Sequence, residues 1–217
     1  MTETLDILRA IGSELNTAVI GDILDEMGFR KQFLPPEIRA LDPDATMVGL
    51  AMPVIEQDTS GPDDPFGKMF EALDSLRPGE IYLAAGGSMT YALWGEMMTT
   101  VALRKKAAGA VLHGYIRDTN KVRRLGLPVF ACGSYAQDQR GRGRVTAYRV
   151  AIEIGGVRID PGDILVGDVD GVLAIPAKAA AECVRRARQK LLTESEVLKE
   201  LVGGLDSAAA FDKFGVM

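Results

Sequence analysis

The centre of the sequence reads Ala110-Val111-Leu112-His113-Gly114-Tyr115-Ile116-Arg117-Asp118. Its apolar start predicts a buried strand, and the polar pair at its end lies where a strand of this length should stop. Open α/β proteins bind ligands at the carboxyl ends of their strands. Arginine offers a planar fork for a carboxylate, whereas aspartate offers hard oxygen atoms for a divalent cation. We therefore predict a metal-dependent site for a small oxo-acid at Arg117 and Asp118.

The composition is that of a chain that can bury a full hydrophobic core. Of its 217 residues, 47% are hydrophobic and 25% are charged, and no repeat or linker divides them. We therefore expect a single domain over residues 1–217. The formal net charge of −5 gives no general attraction to nucleic acid, so direct binding to RNA or DNA is not expected.

The chain has no sequence signal for membrane insertion or export. No segment reaches about 18 apolar residues, and the N-terminal residues lack the apolar core of a signal peptide. We expect a cytoplasmic protein that does not contact membranes. Cys132 and Cys183 lie far apart in apolar or helical surroundings, which predicts two buried, reduced thiols.

Helical and strand patterns alternate on both sides of the central segment. Upstream, the patterns predict helices over residues 17–27, 66–76 and 91–108, with Thr90 as the N-cap of the last, and strands over 47–55 and 81–85. Downstream, they predict a strand over 128–131, a β meander from Arg144 with one apolar face from Thr146 to Ile154, a hairpin turn at Gly155-Gly156, and helices over 177–201 and 208–214. Parallel strands with crossover connections follow from the alternation.

The residue inventory narrows the chemistry by elimination. His113 is the only histidine, which excludes a multi-histidine zinc site, and we assign it no role. The lysines lie in loops or on polar helical faces, so none looks desolvated enough for Schiff-base chemistry. Oxygen ligation remains, and a site with few protein oxygens favours Mg²⁺ or Mn²⁺ with several bound waters. Asp118 is the best candidate for a direct metal ligand.

A second candidate segment begins at Trp94-Gly95-Glu96. Glycine in an early helical turn permits close backbone approach, and the free N–H groups there can receive a carboxylate, although simple packing is an equal alternative. Glu96 could act on a metal through water, but the helix dipole also favours an acidic residue at this position.

Three segments together are similar to a known family. They are Ala92-Leu93-Trp94-Gly95-Glu96, residues 114–118, and residues 162–172. Their order and spacing resemble the 4-hydroxy-4-methyl-2-oxoglutarate / 4-carboxy-4-hydroxy-2-oxoadipate aldolase family, which includes the regulator of ribonuclease E activity A. The resemblance implies an α/β fold of the swivelling β/β/α type, with a central sheet flanked by helices and a C-terminal helix. It also implies homotrimers or hexamers with active sites between subunits.

The resemblance further implies a class II aldolase that uses Mg²⁺ or Mn²⁺. Such an enzyme cleaves a 4-hydroxy-2-oxo diacid to pyruvate and a second oxo-acid, and it decarboxylates oxaloacetate through the same pyruvate enolate. In the family, the arginine matching Arg117 binds the pyruvate carboxylate, the aspartate matching Asp118 binds the metal, and the segment matching Gly95-Glu96-Met97-Met98 contacts substrate. Glu96 completes the predicted catalytic set with Arg117 and Asp118.

Two questions stay open at this point. The resemblance implies an acidic residue from the C-terminal helix of a neighbouring subunit, and Glu194 and Glu196 are equal candidates for it. The alternative function is that of a non-enzymatic regulator that binds a ribonuclease, because relatives of that kind share this scaffold and regulators can preserve such an Arg-Asp pair.

Overall fold

The computed structural model of the protein describes residues 2–60 and 65–215. Its helices are α1 (Thr2–Glu14), α2 (Thr17–Glu26), α3 (Met69–Asp74), α4 (Glu96–Arg104), α5 (Thr119–Leu125), α6 (Ala180–Val202) and α7 (Ser207–Phe214), with a 3₁₀ turn at Ala177–Ala179. Its strands are β1 (Arg39–Ala40), β2 (Met47–Asp58), β3 (Glu80–Ala85), β4 (Ala92–Trp94), β5 (Gly109–Leu112), β6 (Tyr115–Ile116), β7 (Val129–Ala131), β8 (Gly143–Tyr148), β9 (Ile152–Ile154), β10 (Val157–Ile159), β11 (Ile164–Asp168) and β12 (Gly171–Ile175).

The central sheet has the strand order β1-β7-β5-β3-β2-β11-β12, and β8 also pairs with β2. Strands β2, β3, β5 and β7 are parallel, as the alternating pattern predicts. Strands β1, β8, β11 and β12 join antiparallel to their neighbours. Every residue of β3 is buried, which is typical of a parallel strand covered on both faces.

The two faces of the parallel strands carry separate apolar clusters. Successive side chains alternate between faces, so Tyr82 and Leu83 of β3 belong to opposite cores. Helices α3, α4 and α5 cover the Tyr82 side, and the β9–β10 hairpin covers the Leu83 side. A third cluster packs α1, α2 and α6 against β11 and β12. The sheet is therefore flanked by helices, and the long α6 follows it near the C-terminus, as expected.

The predicted hairpin turn and the predicted end of the helix over residues 17–27 are confirmed. Gly155 and Gly156 have φ angles of +59° and +83°, and they join Ile154 directly to its partner Val157. Two left-handed residues in a two-residue loop match the right-handed twist of the strands. Gly28, with φ +87°, follows α2 where the pattern predicts its end.

The prediction of a continuous β meander after Arg144 is wrong. Strand β8 belongs to the central sheet, whereas β9 and β10 form a separate two-stranded sheet. The chain turns at Arg149, which has φ +56° and ends the strand. Its guanidinium bonds both carboxylate oxygens of the buried Glu80, at 2.7 and 2.8 Å. Since a buried carboxylate needs a cation, this pair fixes the turn.

The prediction of one helix over residues 91–108 is also wrong. Residues 92–94 form β4, and α4 begins only at Glu96, with Gly95 rather than Thr90 at the N-cap position. The segment has a helix-favouring composition, but it is fully buried and pairs with β6, and such tertiary pairing overrides propensity.

Three smaller expectations concern the thiols and the membrane. Both cysteines are free, as expected, but only Cys183 is buried. Cys132 is half-buried because it lies just beyond the end of β7, so its predicted burial is wrong. Within residues 2–60 and 65–215, the helices are too short or too polar to cross a bilayer.

Candidate active site

The site is organised by a small two-stranded sheet outside the central one. Strands β4 and β6 are parallel and pair Ala92 with Tyr115 and Trp94 with Ile116. Beyond the pairing, the backbone N–H of Arg117 donates to the carbonyl oxygen of Trp94 at 2.9 Å. The residues that follow each strand therefore meet, which places Gly95 beside the predicted arginine and aspartate.

A side chain at Gly95 would crowd its neighbours. A Cβ atom here would lie 3.0 Å from Asp118 Oδ2 and 3.3 Å from Arg117 Cγ. Its φ of −163° is extended backbone that any residue adopts, so the need for glycine comes from the close approach alone. The sequence-based expectation of close approach at Gly95 is met by side chains of the same chain.

A buried hydrogen-bond chain fixes the start of α4. The indole Nε1 of Trp94 donates to Thr99 Oγ1 at 2.7 Å, and Thr99 Oγ1 donates to the carbonyl oxygen of Gly95 at 2.9 Å. The rings of Trp94 and Tyr82 pack with centroids 5.1 Å apart. Since all three side chains are buried, the backbone at Gly95 has little freedom to move.

Asp118 lies at the turn from β6 into α5. Its φ of +57° and ψ of +28° are left-handed, a conformation that aspartate tolerates better than most residues. Its carbonyl oxygen accepts from the N–H groups of Lys121 and Val122, so the backbone begins the helix. The carboxylate instead faces α4, where Oδ2 accepts a long bond of 3.3 Å from the N–H of Glu96.

The charged side chains around this point form two ion pairs. Arg117 Nη1 lies 3.5 Å from Asp138 Oδ1, and both side chains are about one-third exposed, at 33% and 37%. Lys121 Nζ donates to Glu96 Oε2 at 2.6 Å, and this bond raises the pKa of Lys121. Arg117 thus has one loosely bound partner, Asp138, whereas the carboxylate of Glu96 is already paired with Lys121.

Glu96, Arg117, Asp118 and Asp138 line a cavity of about 350 Å³, whereas Lys121 does not. All six residues predicted for the site lie along it: Gly95, Glu96, Met97, Met98, Arg117 and Asp118. Its remaining wall is mostly apolar and comes from Phe66, Met69, Phe70, Leu73, Ala92, Leu93, Trp94 and Val101, with Asp138 and Gln139 at the polar end. The structure therefore brings the two predicted segments into one concave site.

Three other predicted or considered residues lie away from this cavity. Glu194 and Glu196 project from α6, where Glu194 lies 3.9 Å from Lys190, and neither lines the cavity of its own chain. Their role at a neighbouring subunit, and the trimer or hexamer that it requires, stay predictions. His113 lies 3.9 Å from Glu37 and outside the cavity.

Sequence reasoning missed a buried carboxyl group behind the cavity. Glu56 of β2 is 2% exposed, and its Oε2 accepts a 2.7 Å bond from Nε2 of Gln139, which lines the cavity. Within the described residues, Glu56 Oε1 has no partner. Burial raises the pKa of Glu56 to about 8, so the group is protonated at neutral pH. In the sequence Glu56 begins the polar run Glu56-Gln57-Asp58 after an apolar stretch, so no local pattern marks it as buried.

Asp118 suits a divalent cation that keeps most of its water. No group of three or more histidine, cysteine, aspartate or glutamate side chains converges within residues 2–60 and 65–215, so a fully protein-enclosed metal site is not formed there. The carboxylate of Asp118 is exposed and makes one long hydrogen bond, which leaves lone pairs for ligation. Mg²⁺ commonly binds through one or two carboxylates, waters and substrate oxygens.

The fold and the paired segments together define an α/β protein of the swivelling β/β/α type. A sequence model of the RraA-like family, described as Aldolase/RraA, matches residues 17–174, and the chain belongs to this family. The predicted family resemblance and the predicted fold class are both confirmed.

Individual relatives have 28% to 34% sequence identity with the chain. The chain is 29% identical over 190 residues to Protein DlpA of Legionella pneumophila. This alignment covers 87% of the chain but only 31% of the longer DlpA protein. It is 34% identical over 177 residues to a candidate 4-hydroxy-4-methyl-2-oxoglutarate aldolase of Halalkalibacterium halodurans, covering 80% of the chain and 79% of the relative. A crystal structure of RraAS2 from Streptomyces coelicolor, an unusual member of the RNase ES inhibitor RraA family, aligns with a TM-score of 0.79 and 28% identity over 88% of this chain and 94% of that one.

Replacing Gly95 with alanine should disturb the candidate site and leave the stability of the fold nearly unchanged. The added Cβ would lie 3.0 Å from Asp118 Oδ2, so the carboxylate must give by a few tenths of an ångström. A misplacement of about 1 Å costs about 100-fold in rate, so this smaller displacement should cost up to about 10-fold. Turnover of an active preparation should fall by that factor while the melting temperature changes little. Gly12→Ala on α1 is the matched control, because its new Cβ meets only Val48 at 3.9 Å. Unchanged turnover in Gly95→Ala would refute the steric argument.

Glu56 should make stability depend on pH. In the unfolded chain the carboxyl ionises near 4.5, whereas the folded protein holds its proton until about 8. The folded state therefore binds more protons between these values, and the free energy of unfolding should fall as pH rises through them. Glu56→Gln removes this loss, which amounts to at most about 5 kcal/mol.

Denaturant unfolding of both proteins at about pH 5 and about pH 9 measures the difference. The stability of Glu56→Gln relative to the unmodified protein should rise between the two conditions. Glu153→Gln, on an exposed position of β9, is the matched control. A stability gap that stays constant with pH would contradict the assignment of a protonated Glu56.

Proposed function

We propose that the protein is a class II aldolase that cleaves a 4-hydroxy-2-oxo acid and releases pyruvate. The observation that carries this proposal is the joint exposure of Arg117 and Asp118 to one cavity beside Gly95. The two side chains provide a carboxylate receptor and a metal ligand next to each other. Aldolase-named relatives add support, since one of them covers most of the chain.

Arg117 would bind and orient the carboxylate of the oxo-acid. Its contact with Asp138 is 3.5 Å long, which is beyond the usual length of a charge-assisted hydrogen bond, so its donors can turn to a ligand. Asp118 would hold Mg²⁺ or Mn²⁺, with Glu96 nearby to orient a water. A bound divalent cation would supply positive charge where the keto oxygen becomes an enolate oxygen.

The same arrangement would favour decarboxylation of oxaloacetate. Loss of CO₂ from this acid also passes through the enolate of pyruvate, so it needs the same electrostatic stabilisation. Among the described residues, the apolar wall beyond Arg117 offers the leaving carboxylate no cation, which would destabilise it relative to the neutral CO₂ that it becomes. With no histidine lining the cavity in the described residues, an ordered water would carry the protons.

Arg117→Ala should lower kcat/KM for pyruvate-releasing substrates by about 30- to 150-fold, because a charge-assisted contact of about 2–3 kcal/mol is lost. Pyruvate release coupled to lactate dehydrogenase measures the effect. Arg104→Ala is the matched control, since Arg104 is an exposed arginine of α4 that pairs with Asp74 outside the cavity. Full activity of a normally folded Arg117→Ala variant would show that the arginine has no role in the mechanism.

Asp118→Asn should abolish specific Mn²⁺ binding. The amide keeps the shape of the side chain but loses the anionic oxygen that a hard cation requires. Mn²⁺ titration followed by electron paramagnetic resonance measures binding directly and does not depend on turnover. Asp138→Asn is the matched control, because Asp138 is a second aspartate that lines the same cavity. Equal Mn²⁺ affinity in the Asp118→Asn variant would show that the ion is held elsewhere.

A second candidate function is regulation of a ribonuclease by direct protein binding. The observation in its favour is the structural alignment with RraAS2, whose family is named for RNase inhibition. An assay of several oxo-acids with Mg²⁺ or Mn²⁺, with EDTA as the blank, separates the two functions. Inactivity on all of them, together with inhibition of a purified RNase E-type enzyme, would select the regulator.

A further inference from the structure

A polar loop between β7 and β8 supplies the polar end of the cavity. Its residues Asp138 and Gln139 both line the cavity, and its backbone lies against β4. The N–H of Ala92 donates to the carbonyl oxygen of Gln137 at 2.8 Å, and Ala92 also forms a β-bridge with Asp138. The loop is therefore attached to the same strand that leads into Gly95.

The side chains of Asp138 and Gln139 contact different parts of the molecule. Asp138 Oδ1 lies 3.5 Å from Arg117 Nη1, at the candidate carboxylate receptor. Gln139 is 3% exposed, and its Nε2 donates to Oε2 of Glu56 on β2 at 2.7 Å. Glu56 is therefore connected to Arg117 through one hydrogen bond and two adjacent loop residues.

Glu56 lies in the interior of its own chain. At 2% exposure it is out of reach of a neighbouring subunit, so its position does not depend on assembly. On β8, Val145 lies opposite Glu56, and Arg144 lies opposite Gln57. Within residues 2–60 and 65–215, Glu56 takes part in no ion pair.

The titratable groups that act on Glu56 add no positive charge. They are the phenols of Tyr82 on β3 and of Tyr91 before β4. Asp58, on the same strand as Glu56, accepts a 2.8 Å bond from the hydroxyl of Tyr91 and adds a further negative charge. Burial raises the pKa of Glu56 to about 8, so it bonds Gln139 as a neutral acid at neutral pH.

Packing alone does not explain a carboxyl group at this position. Met52 and Val54, two and four residues earlier on β2, are apolar members of the core. Among the described residues, Glu56 Oε1 has no partner, and a buried polar atom without one destabilises the fold. A buried acid with a raised pKa beside a cavity is instead typical of a functional site.

We infer that Glu56 is a positioning residue of the candidate site. Its carboxyl group holds Gln139, and through the loop it holds Asp138 opposite Arg117, without placing a negative charge behind the cavity. The inference rests on the proposed function, because the neutrality of the anchor matters only if the cavity receives an anionic oxo-acid. A charged anchor in the same place would repel the substrate carboxylate and the enolate formed from it.

Removal of the acceptor oxygen tests the anchor. Exchange of the pyruvate methyl protons in D₂O with Mg²⁺ or Mn²⁺, followed by NMR, reports enolate formation and needs no second substrate. Glu56→Met fills a similar volume but leaves Gln139 without its acceptor, so kcat/KM for exchange should fall at least about tenfold at neutral pH. Glu56→Gln keeps an acceptor oxygen and should recover most of this loss. A residue needed only for packing would show no such rescue, because methionine packs at least as well.

Gln139→Met removes the same bond from its other end. The double variant Glu56→Met/Gln139→Met should lose no more activity than Gln139→Met alone, because both residues act through one bond. Losses that multiply in the double variant would contradict the anchor. Glu153→Gln, at an exposed position of β9, is the matched control and should exchange pyruvate at the unmodified rate.

The neutrality of the anchor gives a second readout, the pH profile. With saturating Mg²⁺, the KM for pyruvate should rise at least about threefold between about pH 7 and about pH 9, because Glu56 becomes charged in this range. In Glu56→Gln this rise should disappear, since an amide does not titrate there. The phenols of Tyr82 and Tyr91 stay protonated in the same range, because burial raises the pKa of both. Circular dichroism checks that each protein is folded under both conditions.

The outcomes separate this inference from the proposed function. Absence of exchange in the unmodified protein with both cations would overturn the proposed aldolase and the inference with it. An unchanged exchange rate in folded Glu56→Met, or a KM that rises equally with pH in the unmodified protein and in Glu56→Gln, would overturn the inference alone. If Glu56→Met does not fold, the pH comparison with the nearly isosteric Glu56→Gln decides.

Discussion

The close approach of the Gly95 backbone to Arg117 and Asp118 is the constraint on which the candidate site depends. Neither segment belongs to the central sheet, and the pairing of β4 with β6 brings them together. A buried bond from Thr99 to the carbonyl oxygen of Gly95 then holds the position. A Cβ at residue 95 would push the arginine and aspartate side chains away by a few tenths of an ångström, so glycine here permits the close approach of the binding groups to α4.

The sequence alone indicates the residues at the charged end of the candidate site because their signal is local. Arg117 and Asp118 follow directly on an apolar strand, and glycine next to Glu96 marks a close approach within a few residues. The start of α4 was misplaced for the opposite reason. Residues 92–94 favour a helix locally, but pairing with β6 and complete burial decide their conformation, and both depend on residues more than twenty positions away.

The remaining parts of the site could not be predicted because they depend on distant contacts. Asp138 and Gln139 occur in a polar loop without a distinguishing pattern, and they reach the cavity only through the folded chain. Similarly, the parallel order of the central strands follows from the alternation of helix and strand patterns. The end of β8, after which the chain leaves the central sheet, follows instead from the bonds between Arg149 and Glu80. Local patterns therefore give the element types, while buried polar contacts decide where several elements stop.

The buried carboxyl of Glu56 links folding to the proton concentration of the solution. Between the ionisation of the unfolded chain and that of the folded protein, the side chain is charged before folding and neutral afterwards. Folding at neutral pH must therefore withdraw a proton from the buffer. The heat of refolding would then include the ionisation heat of whichever buffer donates that proton, and calorimetry in phosphate and in Tris would give different enthalpies for an identical structural change.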